Sequence, residues 1–236
     1  MYNDIKVFEK YKEIRAGFGI NEEHAWPRRL AIALEAKKKG GFLFYPGISH
    51  SVNIEVVESK EGYTEEEPGL FYKDDLDGSI TNRKGIVLTT STGDCLAVFT
   101  YDPVKKVIGL AHAGWRGVLA GMPAKLIEKM NSVYGCDPQD IDAWIGPGIG
   151  LCCFEVNEDV AEDFWDMYPW CEEYTIDLGN GKYKIDLKGI SLELLEMAGA
   201  GHAEASDECT CCQPERFWSW RRCKDKQRMV QYIELL

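Results

Sequence analysis

The stretch GDCLAVFTYDPVKKVIGLAHAGWRG, residues 93–117, holds two apolar runs, a turn between them and a glycine-flanked arginine. Residues 95–101 and 106–112 are rich in β-branched and aromatic side chains. Asp102-Pro103-Val104-Lys105 has turn chemistry, so the pattern predicts an antiparallel hairpin. A turn centred on those residues sets Tyr101 opposite Lys106, Phe99 opposite Ile108 and Cys95 opposite His112. After the hairpin the period becomes helical. Val118, Met122, Leu126, Met130 and Val133 share one face of a helix expected over residues 117–134, with Gly135 closing it.

Upstream, residues 22–39 read as a helix, and residues 41–45, 51–58 and 85–90 as strands. Residues 59–78 are polar, acidic and turn-rich, which predicts a surface segment. Downstream, residues 141–145 form a strand that ends in the turn Gly146-Pro147-Gly148-Ile149-Gly150. Asn157 and Asp186 are N-caps for helices reaching about Tyr168 and Ala198. Residues 216–222 and 229–235 read as two closing strands. The sum is an α/β fold, a mixed sheet flanked by helices, in a single domain over residues 1–236.

Lys and Arg number 27 against 39 Asp and Glu, a net charge of −12. Such a chain lacks the cationic excess that non-specific binding to nucleic acid or to an anionic membrane requires. No apolar run approaches the roughly 20 residues of a membrane span. The start, Met1-Tyr2-Asn3-Asp4-Ile5-Lys6, has no basic-then-apolar leader pattern. The nine cysteines are therefore expected as reduced thiols in the cytoplasm.

Directly opposed residues of a hairpin have Cβ atoms about 4.5–5.5 Å apart on one face. A thiolate from Cys95 and an imidazole from His112 at that separation can share a zinc ion, with Zn–S about 2.3 Å and Zn–N about 2.0–2.1 Å. His50, at the loop-to-strand junction Gly47-Ile48-Ser49-His50-Ser51, is the best third ligand among the remaining histidines. A His/Cys/His set leaves a fourth position open, as catalytic zinc requires. The alternative is Cys95 as a buried core thiol and His112 as a hydrogen-bonded turn residue. Cys209-Thr210-Cys211-Cys212 is a rival metal site that lacks a second well-spaced ligand pair. His24 and His202 read as surface residues.

His112-Ala113-Gly114-Trp115-Arg116-Gly117 joins a strand to a helix. Its glycines permit a tight turn, the helix start offers free N–H groups, and Arg116 offers a guanidinium suited to phosphate. The plain alternative is a connection with a solvated arginine. Phe217-Trp218-Ser219-Trp220-Arg221-Arg222 alternates aromatic and polar residues like an amphipathic edge strand.

Several motifs occur together and in order: Asp77-Gly78-Ser79-Ile80-Thr81, Gly93-Asp94-Cys95-Leu96, His112 to Gly117, Ile145 to Gly150 with Phe154-Glu155-Val156, Cys209-Thr210, and Phe217 to Arg222. On these the chain resembles the laccase-domain, or YfiH-like, proteins, once called polyphenol oxidases and regarded as purine nucleoside phosphorylases. The resemblance spans about residues 15–236. It implies the single-domain YfiH-like α/β fold and zinc on His50, Cys95 and His112. It also implies phosphorolysis of adenosine, inosine, guanosine and S-methyl-5'-thioadenosine, with adenosine deaminase as a further activity. Purine nucleosides and phosphate are the partners expected. Arg116, helped by Ser219, Arg221 or Arg222, is the candidate phosphate cradle. Asp77 is a candidate catalytic acid or ribose ligand. The chain departs from the family pattern at residues 16–20, at Ile48-Ser49-His50-Ser51, and at Ala97, where the family has proline.

Three other readings compete. A cysteine hydrolase would use Cys95 as nucleophile and His112 as base, without metal. A copper oxidase of phenols would need many more than the four histidines present. A non-catalytic binding domain would carry neither metal nor turnover.

Overall fold

Strands with apolar side chains on both faces are stable only between two covering layers, and the hairpin of residues 96–113 lies in such a place. The computed structural model describes residues 3–21, 24–224 and 226–236. The chain runs β1 (Asn3–Asp4), β2 (Ile14–Phe18), α1 (Ala25–Lys38), β3 (Phe42–Gly47), β4 (Ile54–Val56), β5 (Thr64–Glu67), β6 (Leu70–Asp74) and β7 (Gly78–Thr81). It continues through β8 (Ile86–Thr92), β9 (Leu96–Asp102), β10 (Val107–Ala113), α2 (Trp115–Leu119), α3 (Met122–Tyr134), β11 (Asp142–Ile145) and β12 (Glu155–Asn157). The last part is α4 (Glu158–Met167), β13 (Thr175–Gly179), β14 (Lys182–Ile185), α5 (Leu187–Met197), β15 (His202–Ala205), α6 (Trp220–Cys223) and β16 (Met229–Leu235).

Seven strands form one sheet in the order β1-β2-β16-β8-β3-β6-β5, and six form a second in the order β15-β11-β9-β10-β7-β4. Both mix parallel and antiparallel pairs. A small sheet, β12-β14-β13, lies beside them in sequence with α4. From β9, Ala97, Phe99 and Tyr101 meet Phe44, Leu88 and Ile233 of the larger sheet. The alternate residues, Leu96 and Val98, pack with Leu126 and Met130 of α3. On the far side of the larger sheet, Leu43, Val87 and Val230 lie under Ile32, Ala33 and Ala36 of α1. The layers are thus helix, sheet, sheet, helices. Each fully buried Leu or Met of α3 stabilises this stack by about 1.5–3 kcal/mol. No helix among the described residues is long and apolar enough to cross a membrane.

The α/β expectation holds, with two large sheets in place of one. Four local expectations are corrected. The helix over residues 117–134 is broken at Gly121, whose φ of 79° starts a second helix at Met122 with Pro123 in its first turn. Val118, Met122, Leu126 and Met130 are buried as the stripe predicts, but Val133 is 42% exposed. Residues 59–78 contain the hairpin β5–β6, with Leu70, Phe71 and Leu76 in the core. β5 escapes a hydrophobic reading because its side chains, Thr64 and Glu65 to Glu67, are all exposed on a sheet edge. Charge there discourages pairing with another chain. Residues 216–222 form no strand: Ser219 Oγ accepts the backbone N–H of Arg222 and starts α6. The expected start of α1 at Glu22 lies outside the described residues; the observed helix begins at Ala25.

Candidate metal centre

The hairpin pairs Asp102 with Val107 and His112 with Ala97. Cys95 is therefore diagonal to His112, two residues from the expected register. The cause is Asp102: its Oδ1 accepts the N–H groups of Val104 and Lys105, which keeps Asp102 in the strand, and Lys106 closes the loop at φ 55°. A shift of two preserves the face on which each side chain lies, whereas a shift of one would have separated the two groups. Cys95 and His112 still converge, and His50, from the loop after β3, completes the group. The nitrogen and sulfur ligand atoms of His50, Cys95 and His112 lie within 4.8 Å of one another.

The chain strains itself to bring His50 there. Its φ is 61°, a left-handed conformation uncommon for a side-chain-bearing residue and costing of order 1–3 kcal/mol. The carboxylate of Asp77 holds it. Asp77 is fully buried and accepts the backbone N–H groups of Ser49, His50 and Ser51 at 3.1, 3.1 and 2.7 Å, plus both serine hydroxyls. The same carboxylate takes His112 Nδ1 at 2.8 Å. Both oxygens are spent on these donors, and Asp77 does not line the neighbouring cavity. The expected contact with substrate is thus replaced by a positioning arrangement, in which Nδ1–H is tied and Nε2 is left as the ligand atom.

Burial, the largest single influence on Cys95, pushes its thiol up. Hydrogen bonds to His112 and His50 and their charge outweigh this and bring it down to about 6. Burial pushes His112 down, and the bonds and charges of Asp77 and Cys95 outweigh it, raising the imidazole to about 9. Burial also raises Asp77, and its partners His112 and Ser51 bring it below its ordinary value. A thiolate between two imidazoles is the donor set of a zinc or related thiophilic ion. The space between them is kept by Gly114. A Cβ built there would stand 3.0 Å from His50 Cδ2 and 3.1 Å from Cys95 Sγ. The residues present fit a metal ion.

A cavity of about 620 Å³ opens beside the three ligands. Arg116 lines it as an exposed side chain, with its guanidinium 4.1 Å from the ring of Trp115. Arg221 also lines it, held by Nη1 on the carbonyls of Cys153 and Glu155 at 3.0 and 2.9 Å. Lys224 and Arg228 add two cations that sequence reasoning missed. They follow the Phe217 to Arg222 motif but have no pattern of their own; α6 brings them round. Asp94 is the one acidic group on the lining among the described residues. Its oxygens accept Thr210 Oγ1 at 2.7 Å and the Arg221 N–H at 2.6 Å. Ile149, Phe154, Val156 and Leu187 form an apolar wall.

Two expected phosphate ligands lie elsewhere. Ser219 is buried as the cap of α6 and is absent from the lining. The guanidinium of Arg222 is turned onto the carbonyls of Thr210, Cys211 and Phe217 at 2.8, 2.9 and 2.6 Å, so it ties loops together. Both are corrections, and their cause is the helical turn that replaced the expected strand.

A family model described as multi-copper polyphenol oxidoreductase laccase matches residues 23–236. The chain belongs to this laccase family. It is 35% identical over 149 residues to purine nucleoside phosphorylase LACC1 of Mus musculus, a match covering 61% of this chain and 34% of that protein. It is 28% identical over 200 residues to adenosine deaminase RL5 of an unknown prokaryotic organism, covering 82% and 75%. The crystal structure of Bacillus licheniformis hypothetical protein YfiH superposes with a TM-score of 0.86 at 27% identity, covering 97% of this chain and 95% of that one. The chain thus spans about a third of the mouse relative's length but nearly the whole of the bacterial structure.

Copper in the family's description does not find a multi-copper ligand set in this laccase-family chain. Of its four histidines, only His50 and His112 meet. His24 stacks on Trp218, and His202 is an exposed partner of Glu204. A single copper site can be built from two imidazoles and a thiolate, but a multi-copper enzyme needs further imidazoles for its other ions, and His24 and His202 are not placed to supply them.

Proposed function

We propose that this chain is a zinc-dependent purine nucleoside phosphorylase. It would cleave adenosine, inosine, guanosine and S-methyl-5'-thioadenosine with phosphate, giving the free purine and ribose 1-phosphate or methylthioribose 1-phosphate. Adenosine deamination would be a side activity. The observation that carries this reading is one cavity with three neighbouring regions: the His50/Cys95/His112 group, a cationic rim of Arg116, Arg221, Lys224 and Arg228, and an apolar wall. The volume is ordinary for a site that takes a small molecule, and the names of the relatives agree with it.

In phosphorolysis an oxygen of phosphate bonds to the anomeric carbon, the bond from that carbon to the purine nitrogen breaks, and the purine leaves with the electron pair and takes a proton. Arg116 is the candidate that holds the phosphate, since a guanidinium offers two parallel N–H donors. Lys224, Arg228 and Arg221 offset the chain's overall negative charge locally. The apolar wall suits the flat faces of a purine. Zinc held by His50, Cys95 and His112 would supply Lewis acidity and a fixed positive charge beside the substrate. Asp77 positions two of the ligands. In deamination water adds to the carbon that bears the amino group and ammonia leaves.

Incubation with inosine, with and without phosphate, followed by chromatography, tests the reading. Hypoxanthine and ribose 1-phosphate should form only with phosphate. Equal hypoxanthine without phosphate, or none at all, would contradict it. The aligned series Asp77, His112, Cys95 favours a second reading, a metal-free cysteine hydrolase. His50 at the same thiolate favours metal. A chelator distinguishes the two, because it inactivates only the metal enzyme.

A further inference from the structure

Four thiols converge outside the centre described above. Cys152 and Cys153 follow the turn of residues 146–150, and Cys209 and Cys212 lie in the loop between β15 and α6. Their sulfurs all lie within 4.8 Å of one another. Cys212 Sγ is 3.4 Å from Cys152 Sγ and 3.3 Å from Cys153 Sγ, across 60 and 59 residues of chain. In a tetrahedral zinc tetrathiolate, with Zn–S of 2.3 Å, the sulfurs stand about 3.8 Å apart. The C-x-x-C half of such a site is visible at Cys209 and Cys212, and the fold brings the missing pair to it.

We propose that Cys152, Cys153, Cys209 and Cys212 hold one structural zinc ion, distinct from the metal at His50, Cys95 and His112. Four protein thiolates fill a tetrahedral shell and leave no position for substrate, so the site is structural. The surroundings suit the excess negative charge of a tetrathiolate. The Gly150 N–H donates to Cys209 Sγ at 3.3 Å. Lys188, a buried ammonium, is anchored on the carbonyls of Ser206 and Glu208 at 2.7 and 2.6 Å and acts electrostatically on Cys209 and Cys152. Hydrogen bonds and charges outside a ligand shell orient it in this way.

The ion would fasten two loops that build the cavity. One carries Ile149 and Phe154 of the apolar wall, and the other leads to Arg221 and Lys224. They already touch through the Gly148–Cys209 bridge and the Thr210 N–H to Gly148 carbonyl bond of 3.0 Å. Arg221 adds bonds to the carbonyls of Cys153 and Glu155, and a metal clip would add to these ties most because the loop it closes is long.

The test is metal analysis of the full chain, expressed with zinc and purified under reductant and nitrogen. The wild type should hold two zinc ions per chain. Cys95→Ala and the pair Cys209→Ser, Cys212→Ser should each hold one. Should the pair fail to fold, cobalt-loaded wild type and Cys152→Ser supply the readout, since one exposed thiol is replaced by a hydroxyl of similar size. The absorption of tetrahedral cobalt thiolate should persist in Cys95→Ala and shift in Cys152→Ser. A wild type whose only zinc is lost in Cys95→Ala overturns the proposal, as do iron in place of the second zinc, a cobalt spectrum indifferent to Cys152, or a disulfide from Cys212 to Cys152 or Cys153 in the protein as isolated.

Discussion

Gly114→Ala places a methyl group in the space between His50, Cys95 and His112, where the proposed metal would sit. The added Cβ would lie 3.0 Å from His50 Cδ2, 3.1 Å from Cys95 Sγ and 3.6 Å from His112 Cε1. Carbon atoms prefer about 3.5–4.0 Å, so two of the three ligands must retreat. His50 has little freedom to do so, because Asp77 fixes its left-handed backbone. Overpacking of this kind costs about 1–3 kcal/mol, which corresponds to roughly a 5- to 150-fold loss of metal affinity. The backbone itself accepts alanine, since Gly114 is an N-cap at φ −67° and ψ 172°. A slightly poorer cap is offset by the lower entropy of the unfolded chain, and without an ion to hold it the exposed His50 ring can turn away from the methyl, so the metal-free protein should keep its Tm to within a few degrees. Competition against a graded chelator gives the affinity, and thermal unfolding of the metal-free forms gives the control. Unchanged metal affinity in a folded Gly114→Ala protein would refute the placement of the ion between these three side chains.

Asp77→Asn replaces an acceptor for six donors by a group with one acceptor oxygen. Metal affinity should fall about 10- to 100-fold, as for other carboxylates behind a histidine ligand, and calorimetric titration with zinc reads it. Chelation of the wild type should remove both nucleoside activities and expose Cys95 to iodoacetamide, with peptide mass mapping as the check. Retained turnover after complete metal removal would support the cysteine-hydrolase reading instead. Arg222→Ala strands three carbonyls, so stability should drop by about 1–3 kcal/mol, seen as a lower Tm, while the KM for phosphate stays put. A raised phosphate KM at unchanged Tm would return Arg222 to the phosphate site.

The grouping of His50, Cys95 and His112 is legible in the sequence because two of them sit on one hairpin. Strand alternation tolerates an error of two in register, and the actual pairing of His112 with Ala97 made that error harmless. The role of Asp77 is not legible. It depends on three consecutive N–H groups of a loop nearly thirty residues away, all turned toward one carboxylate. Lys224 and Arg228 were missed for a similar reason: only the chain's path past α6 brings them to the cavity. Phe217 to Arg222 misled because alternation also suits a loop that buries Phe217, half-buries Trp218 and leaves Trp220 44% exposed. The edge strand β5 has no apolar residue to announce it. Alternating polarity reports burial on one face; it does not report which partner covers that face.

On the proposed function, the cationic rim serves phosphate while His50, Cys95 and His112 serve the site as a whole. The ratio of inosine to free adenine formed from adenosine, in wild type and in Arg116→Ala, tests it most directly. Arg116 lines the cavity and is not among the three grouped ligands, so its loss leaves the metal set intact. Water needs no cationic cradle, and phosphate does. The ratio should therefore rise in Arg116→Ala at unchanged metal content. A constant ratio while both products fall would contradict the division of labour and assign Arg116 to the integrity of the turn.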